Sequence, residues 1–453
     1  MARTPRHTPS AATSDRADRI VAVLDEAFAP LMEADPVAFR GKYRRMASDP
    51  HAFYRGTACL FYADVAADGG DAEGELRDDF CDERSGRIWI HGDLHVENFG
   101  TYLNSAGLLV FDVNDFDEAY LGRFTWDLQR FAASLALVGW QKALPEADVR
   151  RLVGRYLRSY LSQVDDYRRA EVDDFALHLD NTEGPVHDAL VTARLRRRAE
   201  LLDGLTRVEG GVRVFRDDTT VRALPQKERA AVLKAFEDYL DSIPQDKRFD
   251  RRLFYGVRDV VGKTGFGIGS AGLPAYNLLV EGYSQALDDD VVLSMKQANV
   301  PAVSRFVDTG SVQRHFRHEG HRTVMSQRAL QAHTDPLLGH AVMDGTGYVV
   351  SELSPYEVDL DWSMLTEPDQ ILAVVDPLGR ATAKIHCASD EDSDQDLVDF
   401  QVEDAVARSV EGRRRELGEW LTEFALRYAD RVRQDHALFV NAFREGRIGV
   451  SST

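Results

Sequence analysis

Two polar segments joined by a short apolar stretch constrain this chain more than any other part of its sequence. The first reads HGDLHVENFG at residues 91–100, and the second reads FDVNDFDEA at 111–119. The apolar run RIWI at 87–90 precedes the first segment, and GLLVF at 107–111 leads into the second. This alternation predicts strand, loop, strand and loop, which brings both polar segments to one edge.

The side chains of these segments match the requirements of phosphoryl transfer. Moving a terminal phosphate requires a carboxylate that orients and deprotonates the attacking hydroxyl, and oxygen ligands that hold Mg2+ against the phosphates. We predict Asp93 for the first role and Asn98 with Asp115 for the second. A strand-end turn with incidental polar residues is the alternative interpretation.

Composition limits the other functions of this chain. A formal net charge of -20 and an isoelectric point near 5.1 argue against a sequence-independent nucleic-acid binder, which needs a basic face to neutralise phosphates. The cysteines Cys59, Cys81 and Cys387 are widely spaced and lack metal-ligand spacing, so we expect neither disulfides nor a zinc site. No apolar run approaches the ~20 residues of a membrane span. We therefore expect a cytoplasmic protein that binds neither membrane nor nucleic acid.

Hydrophobic periodicity predicts an α+β protein. Apolar residues recur three and four positions apart over 17–47, 125–164, much of 187–243 and the last about 90 residues, which predicts helices. Between 255 and 298, short apolar runs separated by glycines and an acidic turn predict strands. Residues 1–16 are basic and rich in Ser, Thr and Pro, and we predict that they form a disordered tail.

Through its HGDLHxxN motif, the first polar segment resembles the catalytic loop of aminoglycoside phosphotransferases, choline kinases and their relatives in the protein-kinase-like superfamily. The resemblance implies that Asp93 is the catalytic base and that Asn98 is a Mg2+ ligand. It also groups His91 with the catalytic residues, as a support that packs and hydrogen-bonds within the loop.

The second segment resembles the metal-binding loop of the same enzymes, in which a glycine and then an Asp-Leu pair follow the metal-binding aspartate at fixed distances. Asp115 lies seven residues before Gly122 and twelve before Asp127, as in that pattern, so Asp115 takes the metal role. Asp127 is then expected to be a buried structural acid that ties the loop to the following helix. Asp112 and Asp117 are alternates for the metal role. Asp117 could be a ligand of a second metal or a residue that supports the first ligand.

A kinase-like site also requires a glycine-rich turn over the nucleotide phosphates and a strand lysine that holds them. The region before the first polar segment contains neither, and its one lysine, Lys42, lies in a basic helical segment. Both elements occur downstream instead, where GFGIGSAG at 265–272 provides the turn and VVLSMKQA at 291–298 places Lys296 on a strand. The turn residues predicted to contact the nucleotide are Gly267, Gly269, Ser270 and Gly272.

The GxGxxG spacing of this turn also occurs in dinucleotide-binding Rossmann folds. The Rossmann version needs a helix directly after the glycines, whereas Pro274 and the apolar run at 276–280 predict a strand. A surface position on an edge strand is the alternative interpretation of Lys296.

Further nucleotide contacts follow from the order of the elements in a kinase-like lobe. The next helix should carry an acid that pairs with Lys296, and Glu319 is the best placed, although a solvated glutamate at a helix end fits nearly as well. The strand GYVVSEL at 347–353 would lead to an interlobe hinge. There the backbone through Glu352 and Leu353 would hydrogen-bond adenine.

The lobes would then follow each other in circularly permuted order, which costs little because chain termini in compact domains often lie close together. The predicted fold is a protein-kinase-like two-lobed α+β fold with a mainly helical catalytic lobe and a small antiparallel-sheet nucleotide lobe. The predicted parts are the tail over 1–16, a first part of the catalytic lobe over 17–245, the nucleotide-binding lobe over 250–355 and a helical remainder over 356–453.

Over most of its length the chain resembles an uncharacterised bacterial family, domain of unknown function 2252. The resemblance is carried by FYRG at 53–56, HGDLHVENFG, FDVNDFDEA, GIGSAG, SMKQA, QRALQAHTDPLLG at 327–339 and YADRVRQDHALF at 428–439. It implies no settled substrate. The family pattern often has an acid where this chain has Met325, which leaves the partner of Lys296 open.

The leading hypothesis is an ATP- and Mg2+-dependent phosphotransferase that phosphorylates a hydroxyl of a small molecule. Three alternatives stay open: AMP transfer with a flipped nucleotide, phosphorylation of a protein, and nucleotide-dependent regulation without catalysis.

Overall fold

The computed structural model of this protein describes residues 11–65, 78–170, 175–251, 253–264, 273–307, 310, 312–331, 333–390 and 397–448. These residues combine helices with small antiparallel sheets, which confirms the α+β prediction. They belong to two compact units. The first contains 11–65 and the chain from 426 onward, and the second contains 78–264 and 273–425. The lobe boundaries predicted near 250 and 356 stay predictions.

The helices confirm those predicted over 17–47, 125–164 and the C-terminal region. None of the helices among the described residues is both long and apolar enough to cross a bilayer. The helices are α1 (Ala11–Ala34), α2 (Pro36–Met46), α3 (Pro50–Arg55), α4 (Ala58–Val65), α5 (Phe124–Gln141), α6 (Glu146–Tyr167), α7 (Gly184–Leu195), α8 (Arg198–Leu205), α9 (Gln226–Ser242), α10 (Glu319–Gln331), α11 (Pro368–Cys387), α12 (Val402–Ser409) and α13 (Arg414–Arg444).

The strands are β1 (Ile88–Ile90), β2 (Phe99–Leu103), β3 (Leu109–Val113), β4 (Tyr120–Gly122), β5 (Leu177–His178), β6 (Thr206–Glu209), β7 (Val212–Phe215), β8 (Val221–Arg222), β9 (Val257–Lys263), β10 (Ala275–Val280), β11 (Val291–Gln297), β12 (Gly339–Met343) and β13 (Thr346–Glu352). Within the described residues, six of them form an antiparallel sheet in the order β12-β13-β11-β10-β9-β8. The others form the sheet β2-β3-β5 and the pairs β1-β4 and β6-β7.

The N-terminal end of the first unit differs from the predicted disordered tail over 1–16, because α1 begins at Ala11. The guanidinium of Arg16 donates to two buried carboxylates, Asp64 at 2.7 Å and Asp435 at 2.5 Å. These ion pairs tie the start of α1 to residues far away in sequence, a contact that local composition does not encode.

One face of the six-stranded sheet packs against α9. Side chains alternate along β10 and β11, and this alternation sends Leu278, Leu293 and Met295 to the packed face, where all three are fully buried. Phe236 and Tyr239 of α9 belong to the same core. Burial of each large apolar side chain contributes about 1.5–3 kcal/mol, so the packing fixes the register of the sheet.

Residues 206–215 form a hairpin within the region 187–243, where the prediction is mainly helical. Gly210 and Gly211 join β6 to β7, and their φ angles are 58° and 84°. A two-residue loop with positive φ at both positions matches the turn that a Gly-Gly pair favours. Here the turn residues outweigh the helical pattern around them.

The hairpin β2-β3 brings the two polar segments together. Phe99 pairs with Val113 in its register, and the Asn114 N–H donates to the Asn98 carbonyl at 3.1 Å. The prediction that both segments meet at one edge is therefore confirmed. β2 itself was absent from the predicted elements.

Candidate functional site

The carboxylate of Asp127, in the first turn of α5, holds the start of the first polar segment. It is fully buried and accepts the backbone N–H groups of His91 at 2.7 Å and Gly92 at 3.0 Å. His386 of α11 lies 3.2 Å from the same carboxylate. The structural role predicted for Asp127 is therefore confirmed.

Gly92 has a conformation that its position requires. Its φ is +80°, and a Cβ atom there would lie 2.1 Å from the Glu118 carbonyl oxygen. Only glycine avoids this clash while the backbone approaches so closely. The two polar segments are thus in direct backbone contact.

The His91 ring is used within the loop. It is fully buried, its Nδ1 accepts the Asp93 N–H at 3.3 Å, and its Nε2 lies 2.8 Å from the Asn114 carbonyl. Since both ring nitrogens have partners in the protein, His91 is suited to hold the loop rather than to exchange a proton with a substrate.

Arg130 binds the predicted base, Asp93, and sequence reasoning missed it. The Arg130 Nε donates to Asp93 Oδ1 at 2.5 Å, and the guanidinium is fully buried while 15% of the Asp93 side chain stays accessible. Burial raises the pKa of Asp93, the Arg130 charge opposes that shift, and the charge of Asp115 adds to it. A carboxylate with a raised pKa is a better proton acceptor. The available signal was that Asp127 and Arg130, about one helical turn apart, are the two charged residues of α5.

The predicted metal ligands surround Asp93. The Asn98 Nδ2 donates to the Asp93 backbone carbonyl at 2.9 Å. The other polar atom of this side chain, Asn98 Oδ1, is then the one that would face a cation. Asp115 is exposed and has a left-handed backbone with φ 61°. Asp enters this region more readily than most residues, because its short polar side chain can hydrogen-bond locally.

Two further carboxyl groups belong to this carboxylate cluster, which comprises Asp93, Asp115, Asp117 and Glu118. Burial and the charge of Asp115 raise the pKa of Asp117 to about 6. Burial is also the main cause that raises the pKa of Glu118 to about 7, and the Asp93 charge contributes. Sequence reasoning did not single out Glu118, although it lies in the same motif.

The donor set of the cluster suits a hard divalent cation. Neighbouring carboxylates raise one another's pKa because their negative charges repel, and a cation among them would stabilise their ionised forms. Mg2+ uses one or two carboxylates together with substrate phosphates rather than a complete protein cage. Among the described residues, no three or more His, Cys, Asp or Glu side chains are arranged so that they could hold a metal ion by themselves.

Arg322 of α10 lies beneath the second polar segment, and sequence reasoning missed it as well. Its guanidinium, 1% exposed, donates to the carbonyls of Asp117 at 2.9 Å, Ala119 at 2.9 Å and Asn299 at 2.7 Å. It also pairs with Glu319 at 3.0 Å. The helix acid predicted to pair with a lysine therefore pairs with this arginine.

Lys296, on the sheet, acts on the carboxylate cluster through its charge. Its side chain is exposed near the end of β11, and its charge opposes the rise in the pKa of Asp117 that burial and Asp115 cause. Which acid pairs directly with Lys296 stays a prediction.

The end of β13 contributes differently from its predicted hinge role. The Glu352 N–H donates to Asp335 at 2.9 Å, and the Leu353 N–H donates to the Val292 carbonyl at 2.8 Å. The Glu352 carboxylate pairs with Arg198 at 2.5 Å. The Glu352 and Leu353 N–H groups thus already have acceptors within the protein. The first donates to the Asp335 carboxylate, and the second donates to β11, whose pairing continues past the end of β13.

The predicted nucleotide turn, Gly267, Gly269, Ser270 and Gly272, lies outside the described residues. The strands on either side of it, β9 and β10, pair with each other, and Lys263 lies opposite Ala275 in their register.

Asp112, one of the alternates for the metal role, is occupied by a structural contact. Its buried carboxylate pairs with Lys384 of α11, and Lys384 also donates to the Leu330 carbonyl at 3.0 Å. Asp115 and Asp117 are left as the aspartates of this segment that are available to a metal.

The chain belongs to the family described as uncharacterized protein conserved in bacteria (DUF2252), whose model matches residues 34–442. Neither the curated proteins nor the solved structures give a match to the chain.

Proposed function

We propose that this protein is an ATP- and Mg2+-dependent phosphotransferase that acts on a hydroxyl of a small molecule. The observation that carries the proposal is the meeting of Asp93, Asn98, Asp115 and Asp117 in one pair of loops, with the charge of Lys296 acting on Asp117. A protein that only binds nucleotide does not need a buried carboxylate beside the metal ligands.

The order of elements in the sheet supports a nucleotide-binding role. In protein kinases a glycine-rich loop precedes a lysine on the third strand, and a helix with an acidic residue follows. Here β9, the glycine-rich segment, β10, β11 with Lys296, and α10 with Glu319 follow each other in the same order. The proposed arrangement is a permuted kinase-like fold.

The segment after β13 supports a short path from the sheet to the loops. The Thr101 N–H donates to the Val358 carbonyl at 3.0 Å, and the Asn114 side chain donates to Asp359 at 3.0 Å. The chain leaving the sheet therefore runs beside β2, directly after the first polar segment.

In the proposed reaction, Asp93 accepts the hydroxyl proton as the hydroxyl oxygen bonds to the γ-phosphorus of ATP, and the bond from that phosphorus to the bridging oxygen breaks to release ADP. Arg130 keeps the Asp93 carboxylate oriented. Asn98, Asp115 and Asp117 would hold Mg2+, which neutralises charge on the phosphates. Lys296 would bind the phosphates, and most of the acceleration would come from positioning and charge neutralisation.

The test uses Asp93→Asn, which keeps an acceptor for the buried Arg130 but does not take up a proton. Replacement by alanine would remove the carboxylate that pairs with the buried Arg130 and destabilise the fold. With ATP labelled at the γ-phosphate and pooled sugars, amino alcohols and nucleosides as acceptors, we expect label transfer to fall about 100-fold or more. Calorimetry should show Mg·ATP affinity within about threefold of wild type. Asp217→Asn, on a side chain 96% exposed, is the matched control and should behave as wild type.

Three outcomes would count against the proposal. Transfer that persists in Asp93→Asn would remove Asp93 as the base. Transfer of label from the α-phosphate instead of the γ-phosphate would indicate AMP transfer. Absence of Mg·ATP binding to the wild-type protein would reject the nucleotide-dependent function altogether.

A further inference from the structure

A cavity of about 330 Å3 opens beside the end of β13. Its lining comes from β2 and the residue after it, α8, the segment after α9, the turn between β10 and β11 with the start of β11, the segment before β12, and the end of β13 with the chain after it. None of the carboxylate cluster belongs to the lining. This volume is at the lower end of the range for small-molecule sites, about 300–1,000 Å3.

Val291, which lines the cavity, and Lys296 point to opposite faces of the sheet. Val291 lines the cavity and belongs to the same core as Leu293 and Met295. Because side chains alternate along a strand, Lys296 points to the other face. The charge of Lys296 nevertheless lowers the pKa of Glu357, which lines the cavity, so the cavity adjoins the face that carries Lys296.

Three aromatic rings form one wall of the cavity. The Phe249 ring lies 4.7 Å from Phe254 and 4.9 Å from Tyr283, and Phe254 lies 5.5 Å from Tyr283, measured between ring centroids. Phe254 is buried, whereas Tyr283 is 60% exposed. The wall thus offers apolar ring surface with one ring at the entrance.

The cavity lining also carries acidic side chains. Four carboxylates, Asp289, Asp335, Glu352 and Glu357, line the cavity with a single cationic side chain, Arg198, among the described lining residues. Arg198 pairs with Glu352, which leaves three carboxyl groups that it does not offset. Burial raises the pKa of one of these, Glu357, to about 7, so this group is about half ionised at neutral pH. Burial and the Glu352 charge raise the pKa of Asp335 to about 6, and this group is still mostly ionised near neutral pH.

We propose that this cavity binds a small organic ammonium whose apolar body packs on Phe249, Phe254 and Tyr283. Ring faces attract cations, and this attraction is strongest where water is excluded. The carboxylates supply the countercharge and discriminate against neutral and anionic molecules of the same shape. The inference does not depend on phosphoryl transfer.

The test compares three probes of nearly equal size: 2-phenylethylammonium, 2-phenylethanol and phenylacetate. We expect calorimetry on the full chain at moderate salt to show saturable binding of the ammonium at millimolar concentration, binding of the alcohol that is at least about fivefold weaker, and no binding of the acid. Mg·ATP should not compete with the ammonium.

Two variants on exposed side chains test the aromatic rings and the carboxylates separately without endangering the fold. Tyr283→Ala removes the ring at the entrance, and Glu357→Gln removes one carboxylate. Each variant should weaken the binding of 2-phenylethylammonium about threefold to tenfold. Glu237→Gln, on the exposed side of α9, changes the net charge equally and should leave the affinity unchanged.

Four outcomes would overturn the inference. These are no saturable binding of 2-phenylethylammonium, equal binding of 2-phenylethanol, an equal loss of affinity in Glu237→Gln, and competition by Mg·ATP. The third would trace binding to the overall negative charge, and the fourth would assign the cavity to the nucleotide site.

Discussion

The polar loops at 91–119 and the strand that carries Lys296 are positioned by different interactions. The loops are irregular, and buried charged side chains from three helices hold them: Asp127 and Arg130 of α5, Arg322 of α10 and Lys384 of α11. Lys296 is placed by a regular ladder and an apolar core. The difference teaches that a site built on loops needs specific anchors, whereas a strand position depends on packing that many residues share.

Loss of the Asp127 anchor should have the largest effect. Asp127→Ala leaves two buried N–H groups without an acceptor, and each costs about 1–3 kcal/mol. We expect the free energy of unfolding, measured by urea titration, to fall by about 4 kcal/mol. Asp217→Ala is the exposed control and should change it by less than about 0.5 kcal/mol. A loss below about 1 kcal/mol for Asp127→Ala would mean that the loop does not depend on this anchor.

Loss of the Arg322 anchor should come next. Arg322→Met keeps the volume of the side chain but leaves the carbonyls of Asp117, Ala119 and Asn299 without their donor. We expect a loss of about 3 kcal/mol in urea titration, together with weaker Mg·ATP binding because Asp117 is displaced. Arg415→Met, at a side chain 91% exposed, should be neutral. Stability lost without any change in nucleotide binding would separate α10 from the site.

Replacement of Lys296 should affect nucleotide binding rather than stability. The side chain is exposed, so Lys296→Met should change the free energy of unfolding by less than about 0.5 kcal/mol. If Lys296 binds phosphate, calorimetry should show Mg·ATP affinity reduced by about 10-fold or more, as for the loss of a charge-assisted contact. Lys234→Met on α9 is the control. Unchanged affinity would leave Lys296 as a surface lysine.

The smallest effect concerns the pH dependence of stability. The folded pKa of Asp117 is raised to about 6 from the usual 3.8, so the folded state binds more protons than the unfolded state between these values. Stability should therefore fall as the pH rises from about 4 to about 6. Asp117→Asn should remove the part of this decline that Asp117 causes, measured by urea titration across that range. Curves that stay parallel for the two proteins would show that Asp117 titrates normally.

Several parts of the fold could be predicted because the signal is local. The break between α1 and α2 follows from Pro36, with Asp35 capping the second helix, and β10, β11 and β13 follow from apolar runs bounded by glycines and acids. By contrast, β2 has a short sequence, FGTYL, that is a strand because β3 pairs with it.

The residues of the candidate site also fall into those that the local sequence identified and those that it did not. The motif spacing identified Asp93, Asn98 and Asp115, and it identified Asp127 as a buried support. It did not identify Arg130 or Arg322, because arginines are usually exposed and only the packing around these two shows that they are buried.

The sequence by itself determined the α+β class, the paired polar loops and the types of side chain at the site, because these depend on residues close together along the chain. Only the tertiary structure decided which charged groups are buried and paired, such as Arg130 with Asp93 and Lys384 with Asp112. Those pairs join residues 37 and 272 positions apart. Burial of a charge is stable only when the fold supplies its partner, and that partner is set by packing rather than by the local sequence.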